Sequence, residues 1–445
     1  MTDILTIVLG AGEGTRMKSE TPKVLHKVGG RPMIGHVLAA CAAAGATVRH
    51  VVVGPNHDHV RDYAKSVDSH ITSSIQSERL GTGHAVMAAR EAWQDFQGNV
   101  IVLLADAPLV SPDVIEDAIA SLSAGADLTV VGFQTPEPFG YGRILVEHGQ
   151  VKAIREEKDA TPSERKIKFC NSGIIGFKAE CLRTVIDEIK NDNVQGEFLL
   201  TDAIEIANAK GLKVRSVECP FVTVLGINDR GQLAEAERIF QQARRAHFMK
   251  EGVTLVAPET VFFSYDTQIE NDVIVEPNVV FGPGVSIEKG AHIQAFSHLE
   301  GAHVGSAGQI GPYARLRPGT NLAAGVKVGN FVETKKAEIG EGAKLNHLSY
   351  IGDAKVGKAT NIGAGTITCN YDGKNKFVTE IGDNAFIGSN SALVAPVTIA
   401  DGAYVASGSV VTENVEKDAL AIGRARQVNK ENYATRIRAR WEDKN

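Results

Sequence analysis

The sequence predicts two domains of different architecture, a doubly wound α/β domain followed by a parallel β-helix. The first half alternates short apolar runs with helix-like stretches, which is typical of a doubly wound α/β fold. From residue 269 onward, an apolar residue instead returns every six positions, a period that fits neither a helix nor an ordinary strand. Between the halves, an alanine-rich amphipathic segment predicts a linking helix.

The α/β domain is predicted from apolar runs that have the length of buried strands. These runs are 4–9, 51–53, 100–104 and 128–131, and the stretch 33–44 between two of them has a helical pattern. We place the first domain at 1–229, the linking helix at 230–250 and the β-helix with its C-terminal tail at 251–445. A chain of 445 residues is long enough for each domain to bury its own core.

The β-helix is predicted from a hexapeptide array in which each coil buries its apolar residues against the coils above and below. A chance spacing in an ordinary β domain does not account for so many consecutive matches. The array comprises Ile269, Val275, Phe281, Ile287, Ile293, Leu299, Val304, Ile310, Leu316, Leu322, Val328, Ile339, Leu345, Ile351, Val356, Ile362, Thr368, Ile381, Ile387, Leu393, Ile399, Val405 and Val411, with small shifts of register.

The composition is that of a globular protein, with 22% charged and 43% hydrophobic residues. No apolar run approaches the roughly 18 residues of a membrane span, and residues 1–9 do not resemble a secretion signal. The five cysteines are scattered without metal-ligand spacing, which favours a reducing cytoplasm. A net charge of −6 argues against a nucleic-acid partner. We expect a cytoplasmic protein that holds any anionic substrate with local cations.

A glycine-rich loop follows the first predicted strand. Gly10, Gly12 and Gly14 allow the backbone to approach a phosphate chain, while Arg16 and Lys23 add positive charge. The spacing differs from the dinucleotide fingerprint, and the loop lacks the Gly-Lys-Ser/Thr of a P-loop. The pattern therefore predicts a phosphate-binding loop of another kind.

The motif at 12–17, Gly-Glu-Gly-Thr-Arg-Met, with Pro22 and Lys23, resembles the signature of sugar-phosphate nucleotidyltransferases. With the hexapeptide array, the chain resembles the bacterial bifunctional family that joins a Rossmann-like N-acetylglucosamine-1-phosphate uridyltransferase to a glucosamine-1-phosphate N-acetyltransferase on a left-handed β-helix. Further matching segments are Gln76, 80–85, 140–143, Glu156, Asn171, 226–228, 315–319, 335–336, 347–350, 361–366 and 369–373.

This resemblance implies an enzyme that acetylates glucosamine-1-phosphate with acetyl-CoA. The product, N-acetylglucosamine-1-phosphate, then receives a uridylyl group from UTP, and pyrophosphate is released. The implied product, UDP-N-acetylglucosamine, feeds peptidoglycan and lipopolysaccharide synthesis. The resemblance also implies Mg²⁺ as a cofactor and a homotrimer as the active species.

The first site is predicted at the carboxyl end of the strand 100–104, where α/β sheets bind ligands. The resemblance implies that Asp106 and Asn228 hold Mg²⁺, that Arg16 and Lys23 are catalytic cations, and that Gln76, Gly81 and Thr82 recognise uracil. A sugar phosphate is largely dianionic near neutral pH, so the reaction needs no protein base. The implied substrate-binding residues are Leu9, Gly10, Ala11, Gly12, Lys23, Gln76, Gly81, Thr82, Gly140, Glu156, Asn171 and Asn228.

The second site is predicted on the β-helix. Acetyl transfer needs a free amine, so a group that titrates near neutrality should lie beside it, and His347 is the candidate. The resemblance implies sugar-phosphate binding by Arg317, Lys335, Tyr350 and Asn361. It implies acetyl-CoA binding by Ala364, Asn370, Tyr371, Ser389, Ser407 and Arg424. The segment 371–377 interrupts the hexapeptide period, and we expect a loop that reaches a neighbouring subunit.

Three residues depart from the family pattern, which has Ala at Gly10, Gly at Ala105 and Ala at Ser407. We expect Gly10 and Ser407 to be tolerated, whereas the Ala105 methyl group could weaken binding near the phosphates. Two alternative functions stay open on the sequence. One is a single-activity nucleotidyltransferase whose β-helix serves assembly or regulation. The other is a non-catalytic protein like the translation-factor exchange subunits.

Overall fold

A computed structural model of the protein describes residues 2–442. The chain divides into two compact units, Met1–Gln242 and Ala243–Asn445. The boundary falls inside the helix α8, Arg230–Lys250, the segment whose pattern predicts a linking helix. Residues 443–445 of the predicted tail lie outside the described residues.

The first unit is built on a mixed sheet. Its strands are β1 Ile4–Gly10, β2 Val48–Val53, β3 Thr72–Ile75, β4 Asn99–Leu104, β5 Leu128–Gln134, β6 Arg143–Glu147, β7 Gln150–Arg155, β8 Phe169–Lys178 and β9 Val214–Glu218. They lie in the order β9-β5-β8-β4-β1-β2-β3, and the hairpin β6–β7 is attached to β8. Neighbouring strands are parallel except that β8 runs antiparallel to β4, β5 and β6, and β6 runs antiparallel to β7.

Helices cover the sheet, and its strands alternate their side chains between two apolar cores. In β1, for example, Leu5 and Ile7 lie in one core while Val8 lies in the other. The predicted doubly wound α/β domain is therefore confirmed, with one antiparallel strand that the apolar pattern does not reveal. The helices of this unit are α1 Met33–Ala43, α2 Asp58–Val67, α3 Thr82–Ala88, α4 Arg90–Trp93, α5 Pro112–Ser123, α6 Ala179–Val185 and α7 Ala203–Ala209.

Short elements fill the connections of the first unit. A two-stranded hairpin pairs Lys27–Val28 with Arg31–Pro32. Single 3₁₀ turns occur at Thr15–Met17, Lys23–Leu25, Glu164–Lys166, Ile186–Glu188, Leu200–Asp202 and Phe221–Val224.

The register of β1 against β4 determines where the residues of the first predicted site lie. The two strands are parallel neighbours, and Leu9 pairs with Leu104. Both strands therefore end at the same edge of the sheet, where the glycine-rich loop and Asp106 emerge side by side.

The second unit is a parallel β-helix. One of its faces consists of Thr254–Leu255, Ile274–Val275, His292–Ile293, Gln309–Ile310, Lys327–Asn330, Lys344–His347, Asn361–Ile362, Phe386–Ile387, Tyr404–Val405 and Leu420–Ala421. The other two faces share one sheet, formed by Gln268–Ile269, Val280–Phe281, Ser286–Ile287, His298–Leu299, Ala302–Val304, Arg315–Leu316, Thr320–Leu322, Glu333–Ile339, Tyr350–Val356, Ile367–Cys369, Thr379–Ile381, Ala392–Val394, Val397–Ile399 and Val410–Val411. A 3₁₀ turn spans Pro258–Thr260, and the helix α9 spans Tyr433–Glu442.

The hexapeptide array forms the core of this unit, so the predicted β-helix is confirmed. Apolar residues of successive coils pair directly, as Val275 does with Ile293. From Val275 to Val411, every residue of the predicted array is buried, and Ile269 packs partly buried against the same core. Among the described residues, none of the helices is both long and apolar enough to cross a bilayer.

One coil is longer than its neighbours. Ile339 pairs with Val356 seventeen positions on, whereas Val356 pairs with Ile381 twenty-five positions on. The extra residues lie around 371–377, where Phe377 donates its N–H to the carbonyl of Asn370 and closes a loop. The loop is open to solvent at Tyr371, which is 59% exposed.

Candidate functional site

The glycine-rich loop brings Lys23 close to its backbone. Gly14 adopts a φ of 65°, and a Cβ atom on it would lie 2.5 Å from the Cβ of Lys23. A larger residue at this position would be strained and would push Lys23 away. The glycine thus sets how closely the lysine approaches the phosphate-binding loop.

Lys23 joins the two predicted metal ligands. Its ammonium donates to Oδ2 of Asp106 and, over 3.2 Å, to Oδ1 of Asn228. The loop that carries Asn228 is tied to the same place, because the N–H of Ile227 donates to the carbonyl of Asp106 over 2.9 Å. One carboxylate oxygen and one amide oxygen therefore converge on a single cation. Hard oxygen ligands of this kind fit Mg²⁺, which takes its other ligands from phosphates and water.

Two cavities meet at Asp106. The first, of about 250 Å³, is lined by Leu9, Gly10, Ala11, Gly12, Lys23, Val24, Gln76, Arg79, Gly81, Thr82, Ala85, Leu104, Asp106 and Glu197. The second, of about 300 Å³, is lined by Leu9, Thr82, Leu104, Asp106, Gly140, Tyr141, Gly142, Glu156, Asn171, Ser172, Gly173, Ile175, Leu200, Thr201, Val224, Gly226 and Asn228. The predicted nucleotide ligands line the first cavity and the predicted sugar ligands line the second.

Gln76 is held in one orientation in the first cavity. Its side-chain amide donates to the carbonyl of Gly81 over 3.0 Å and lies 3.2 Å from Nδ1 of His84. Because a carbonyl can only accept, the amide nitrogen faces Gly81. Thr82 is fixed as well, since its hydroxyl accepts the N–H of Leu200 over 3.0 Å.

Glu156 lies in the second cavity beside Thr201, whose hydroxyl donates to its carboxylate over 3.3 Å. Burial raises the pKa of Glu156 above the ordinary value of a glutamate. Asn171 faces the same cavity from β8, which has a bulge between Asn171 and Ile175. Bulges re-aim side chains beside sites, and this one also places Gly173 in the cavity wall at a φ of 82°.

Arg16, which was predicted as a site residue, lies outside the two cavities, whereas Arg79, for which no prediction was made, lines the first. The predicted catalytic cation Arg16 is exposed and is not among the residues that line the two cavities. Arg79, which was not among the predicted site residues, donates to the carbonyl of Ala11 over 2.8 Å and to Glu13 over 2.6 Å. These bonds tie Arg79 to the glycine-rich loop. Its place in the sequence shortly after Gln76 was the one feature from which its role at the site could have been predicted.

Two of the expected departures from the family pattern, Gly10 and Ala105, are neighbours in the structure. A Cβ atom on Gly10 would lie 3.5 Å from the Cβ of Ala105, which is fully buried in the core. The methyl group of Ala105 therefore lies beside Gly10, leaves room for ordinary contact there and does not line either cavity. The expected interference of this methyl group with phosphate binding is not supported by its position.

In the second unit, His347 ends the strand Lys344–His347 and is exposed. Its Nδ1 lies 2.7 Å from Oδ1 of Asn330, the residue that pairs with it in the preceding coil. An amide oxygen can only accept, so Nδ1 donates this bond, and in the neutral imidazole Nε2 then carries the lone pair. Asn330 was not predicted from the sequence, because only the register of the coils brings it next to His347.

A column of equivalent positions rises from His347 through the following coils. Leu345, Ile362, Ile387 and Val405 pair from coil to coil, so the residues two places further along also align. These aligned residues are His347, Ala364, Ser389 and Ser407. The carbonyl of Ala364 accepts the N–H of Asn390, and that of Ser389 accepts the N–H of Gly408, as this register requires. Three of the predicted acetyl-CoA ligands thus form one strip that begins at the histidine.

Cations gather on the adjoining face. Arg317 and Lys335 occupy matching positions of successive coils, and the charge of Lys376 and then that of Arg317 hold the pKa of Lys335 below its ordinary value. Lys376 belongs to the loop 371–377 and was not predicted. Glu333 pairs with Arg317 over 2.7 Å. Mutual repulsion among three cations favours a bound anion.

The other predicted ligands of the second site lie on the same coils. Tyr350 begins the strand that follows His347, and Asn361 pairs with Lys344. Asn370 is buried and bonds to Asp353, while the exposed Tyr371 donates its hydroxyl to the carbonyl of Gly373 over 2.6 Å. Arg424 is exposed beyond the last coil, with its Cδ 3.6 Å from where a Cβ on Gly408 would stand.

Comparisons with known proteins agree with both units. The MobA-like NTP transferase domain matches residues 6–166, and the bacterial transferase hexapeptide family matches 266–301 and 379–413. The second match identifies the β-helix as the left-handed kind that hexapeptide proteins form.

Whole-length relatives match across both units. Proteins named bifunctional protein GlmU from Agrobacterium fabrum and Azorhizobium caulinodans are each 55% identical over 98% of this chain, and cover 96% and 97% of their own length. The protein of that name from Bartonella quintana is 51% identical over 99% of this chain and 98% of its own. A single-activity or non-catalytic protein does not account for these matches. The chain therefore belongs to the bifunctional GlmU family and is an enzyme that joins a uridyltransferase to an acetyltransferase.

Proposed function

We propose that the two sites carry out consecutive steps in making UDP-N-acetylglucosamine, with the roles of the individual residues as follows. The supporting observation is that predicted site residues lie together in each unit. In the first, Lys23, Asp106 and Asn228 lie where two cavities meet. In the second, Asn330 and His347 lie at the start of the strip of predicted acetyl-CoA ligands.

In acetyl transfer, Arg317, Lys335 and Lys376 bind the phosphate of glucosamine-1-phosphate. Nε2 of His347 accepts a proton from the amine as the amine nitrogen attacks the thioester carbonyl of acetyl-CoA. The carbon–sulfur bond breaks and coenzyme A leaves. Asn330 keeps the lone pair on Nε2 by fixing the proton on Nδ1.

The acetyl-CoA chain binds along the strip of Ala364, Ser389 and Ser407. Neighbouring coils are about 4.8 Å apart, so the strip extends roughly 14 Å from His347. A narrow extended chain can lie along small residues of this kind, with its reactive end at the histidine. Asn370, Tyr371 and Arg424 bind the same cofactor, and Tyr350 and Asn361 bind the sugar.

In uridylyl transfer, a phosphate oxygen of N-acetylglucosamine-1-phosphate attacks the α-phosphorus of UTP and pyrophosphate leaves. Gln76, Gly81 and Thr82 hold the uracil, while Gly140, Glu156 and Asn171 hold the sugar. The loop 9–12 and Lys23 stabilise the charge that develops on the transferred phosphate. Arg16, which is exposed, would act at the outer phosphates only.

Mg²⁺ is part of the proposal because its expected ligands fit it. Asp106 and Asn228 already direct two oxygens at the Lys23 ammonium. When bound, the metal supplies charge neutralisation at the phosphates. These two residues would hold it, and Lys23 would then be available to pair with phosphate oxygens.

The active species is a homotrimer in this proposal. The loop 371–377 and the exposed Arg424 both extend beyond the coils that carry them. Each can complete a pocket on a neighbouring copy, and closed cyclic symmetry would give every copy the same environment. A cytoplasmic location and the absence of a nucleic-acid partner stay predictions from composition.

One coupled assay tests the whole proposal. The protein is incubated with glucosamine-1-phosphate, acetyl-CoA, UTP and Mg²⁺, and free coenzyme A, pyrophosphate and UDP-N-acetylglucosamine are measured. All three should appear, and omission of acetyl-CoA should stop all three. Formation of coenzyme A without pyrophosphate would contradict the first-unit assignment.

A further inference from the structure

Arg143 is a buried cation outside the reaction centre. It is 1% exposed, and its guanidinium donates to Glu157 over 2.6 Å, to the carbonyl of Arg165 over 3.3 Å and to the carbonyl of Tyr141. Its Nε is buried without a partner. A buried charge is costly unless it is paired. Of these partners, Tyr141 lines the second cavity, and Glu157 directly follows Glu156, which also lines it.

Glu157 connects this arginine to the sugar cavity. The carboxylate oxygen that binds Arg143 also accepts the N–H of Gly140 over 3.1 Å. Burial acts to raise the pKa of Glu157, but the bonds from Arg143 and Gly140 outweigh it and hold the pKa below the usual value. The carboxylate therefore stays ionised, and it fixes a glycine that lines the cavity.

The loop 140–142 is anchored at each of its three residues. Glu157 holds the N–H of Gly140, Arg143 holds the carbonyl of Tyr141, and the carbonyl of Gly142 accepts the N–H of Asn171 over 2.8 Å. Gly142 also lies against Glu156, whose carboxylate oxygens would be 3.2 Å from a Cβ at that position.

We propose that the Arg143–Glu157 ion pair is a positioning device for the sugar half of uridylyl transfer. The pair fixes the position of Gly140 directly, through the bond from its N–H to Glu157. It also fixes the position of Glu156, because Glu156 and Glu157 are consecutive in the chain. Neither Arg143 nor Glu157 lines the sugar cavity. The pair acts on sugar binding through other residues, and the nucleotide cavity does not depend on it. This inference rests on the proposed function of the second cavity.

The test is steady-state kinetics of uridylyl transfer for Glu157→Gln, for Arg143→Met and for the double variant. Glu157→Gln should raise KM for N-acetylglucosamine-1-phosphate by about 10-fold and leave KM for UTP unchanged, because only sugar contacts are misplaced. Acetyl transfer, which uses the other unit, should keep its rate. Asp187→Asn, which breaks the exposed pair with Arg90, is the matched control and should change neither KM.

The double variant separates positioning from general stability. Removing both charges should restore much of the thermal stability lost in Arg143→Met or Glu157→Gln, while KM for the sugar phosphate stays high. A normal sugar KM in Glu157→Gln, or equal increases in both KM values, would overturn the positioning role. Failure of the unmutated protein to transfer uridylyl would instead contradict the proposed function.

Discussion

Asn330 accepts a hydrogen bond from Nδ1 of His347 across 2.7 Å, between residues that pair in successive coils of the β-helix. The bond fixes the tautomer of the histidine, so its other nitrogen can accept a proton. The regular register of the fold thus prepares His347 for the role of general base that we propose for it.

Replacing His347 should remove most acetyl transfer. His347→Ala should lower the rate by about 10²–10⁴-fold at neutral pH, the range for loss of a general base. Raising the pH should partly restore activity, since free amine then forms without help. Initial rates of coenzyme A release between pH 7 and 9 measure this, and an unchanged rate at neutral pH would show that His347 is an ordinary surface residue.

Asn330→Ala should weaken the same reaction less severely. We expect a loss of roughly 10–100-fold, as for other partners that orient a functional histidine. Asn330→Asp keeps an oxygen acceptor for Nδ1 and should recover much of the rate. If Asp and Ala variants are equally impaired, the orienting role of Asn330 is wrong.

Gly10→Ala should be tolerated and should stabilise the first unit by about 0.4–1 kcal/mol through the unfolded chain. The new methyl group would make ordinary contacts of 3.4 Å with the carbonyl of Val52 and 3.5 Å with Ala105. Ala105→Gly, which empties the same space, should destabilise the unit. Urea denaturation of both variants measures the two effects, and a clear loss of stability in Gly10→Ala would show that the core has no room for a methyl group beside Ala105.

Asp202 should make the stability of the first unit depend on pH. Burial raises its pKa to about 6. The folded state therefore holds its proton more tightly than the unfolded state, and stability falls as the pH rises from about 4 to 6. Asp202→Asn should stabilise the unit above pH 6, by about 1 kcal/mol for a partly solvated carboxylate, and much less at pH 4. Denaturation at several pH values measures the difference in unfolding free energy between Asp202→Asn and the unmutated protein. A difference that does not change with pH would contradict a raised pKa of Asp202.

The predicted homotrimer links acetyl transfer to assembly. Dilution should lower acetyl transfer before uridylyl transfer, because the loop 371–377 and Arg424 act on a neighbouring copy in this proposal. Sedimentation equilibrium with both assays on the same samples measures this. A monomer fully active in acetyl transfer would rule out shared sites.

The sequence was sufficient for features that depend on local pattern. The hexapeptide period identified the buried residues of the β-helix, and the glycine-rich loop after the first strand lines a cavity, as a binding loop should. Features that depend on pairing between distant residues were not accessible. Asn330 and His347 meet only because the coils align, and Arg79 reaches Ala11 only when the sheet is formed. The antiparallel course of β8 leaves no trace in its apolar pattern.

The separation of the two reactions is tested most directly by measuring both activities in Asp106→Asn and in His347→Ala. Asp106 lies where the cavities of the first unit meet, and His347 lies in the second unit. Asp106→Asn should abolish uridylyl transfer and leave acetyl transfer nearly intact, while His347→Ala should do the reverse. Equal loss of both activities in either variant would contradict two independent sites.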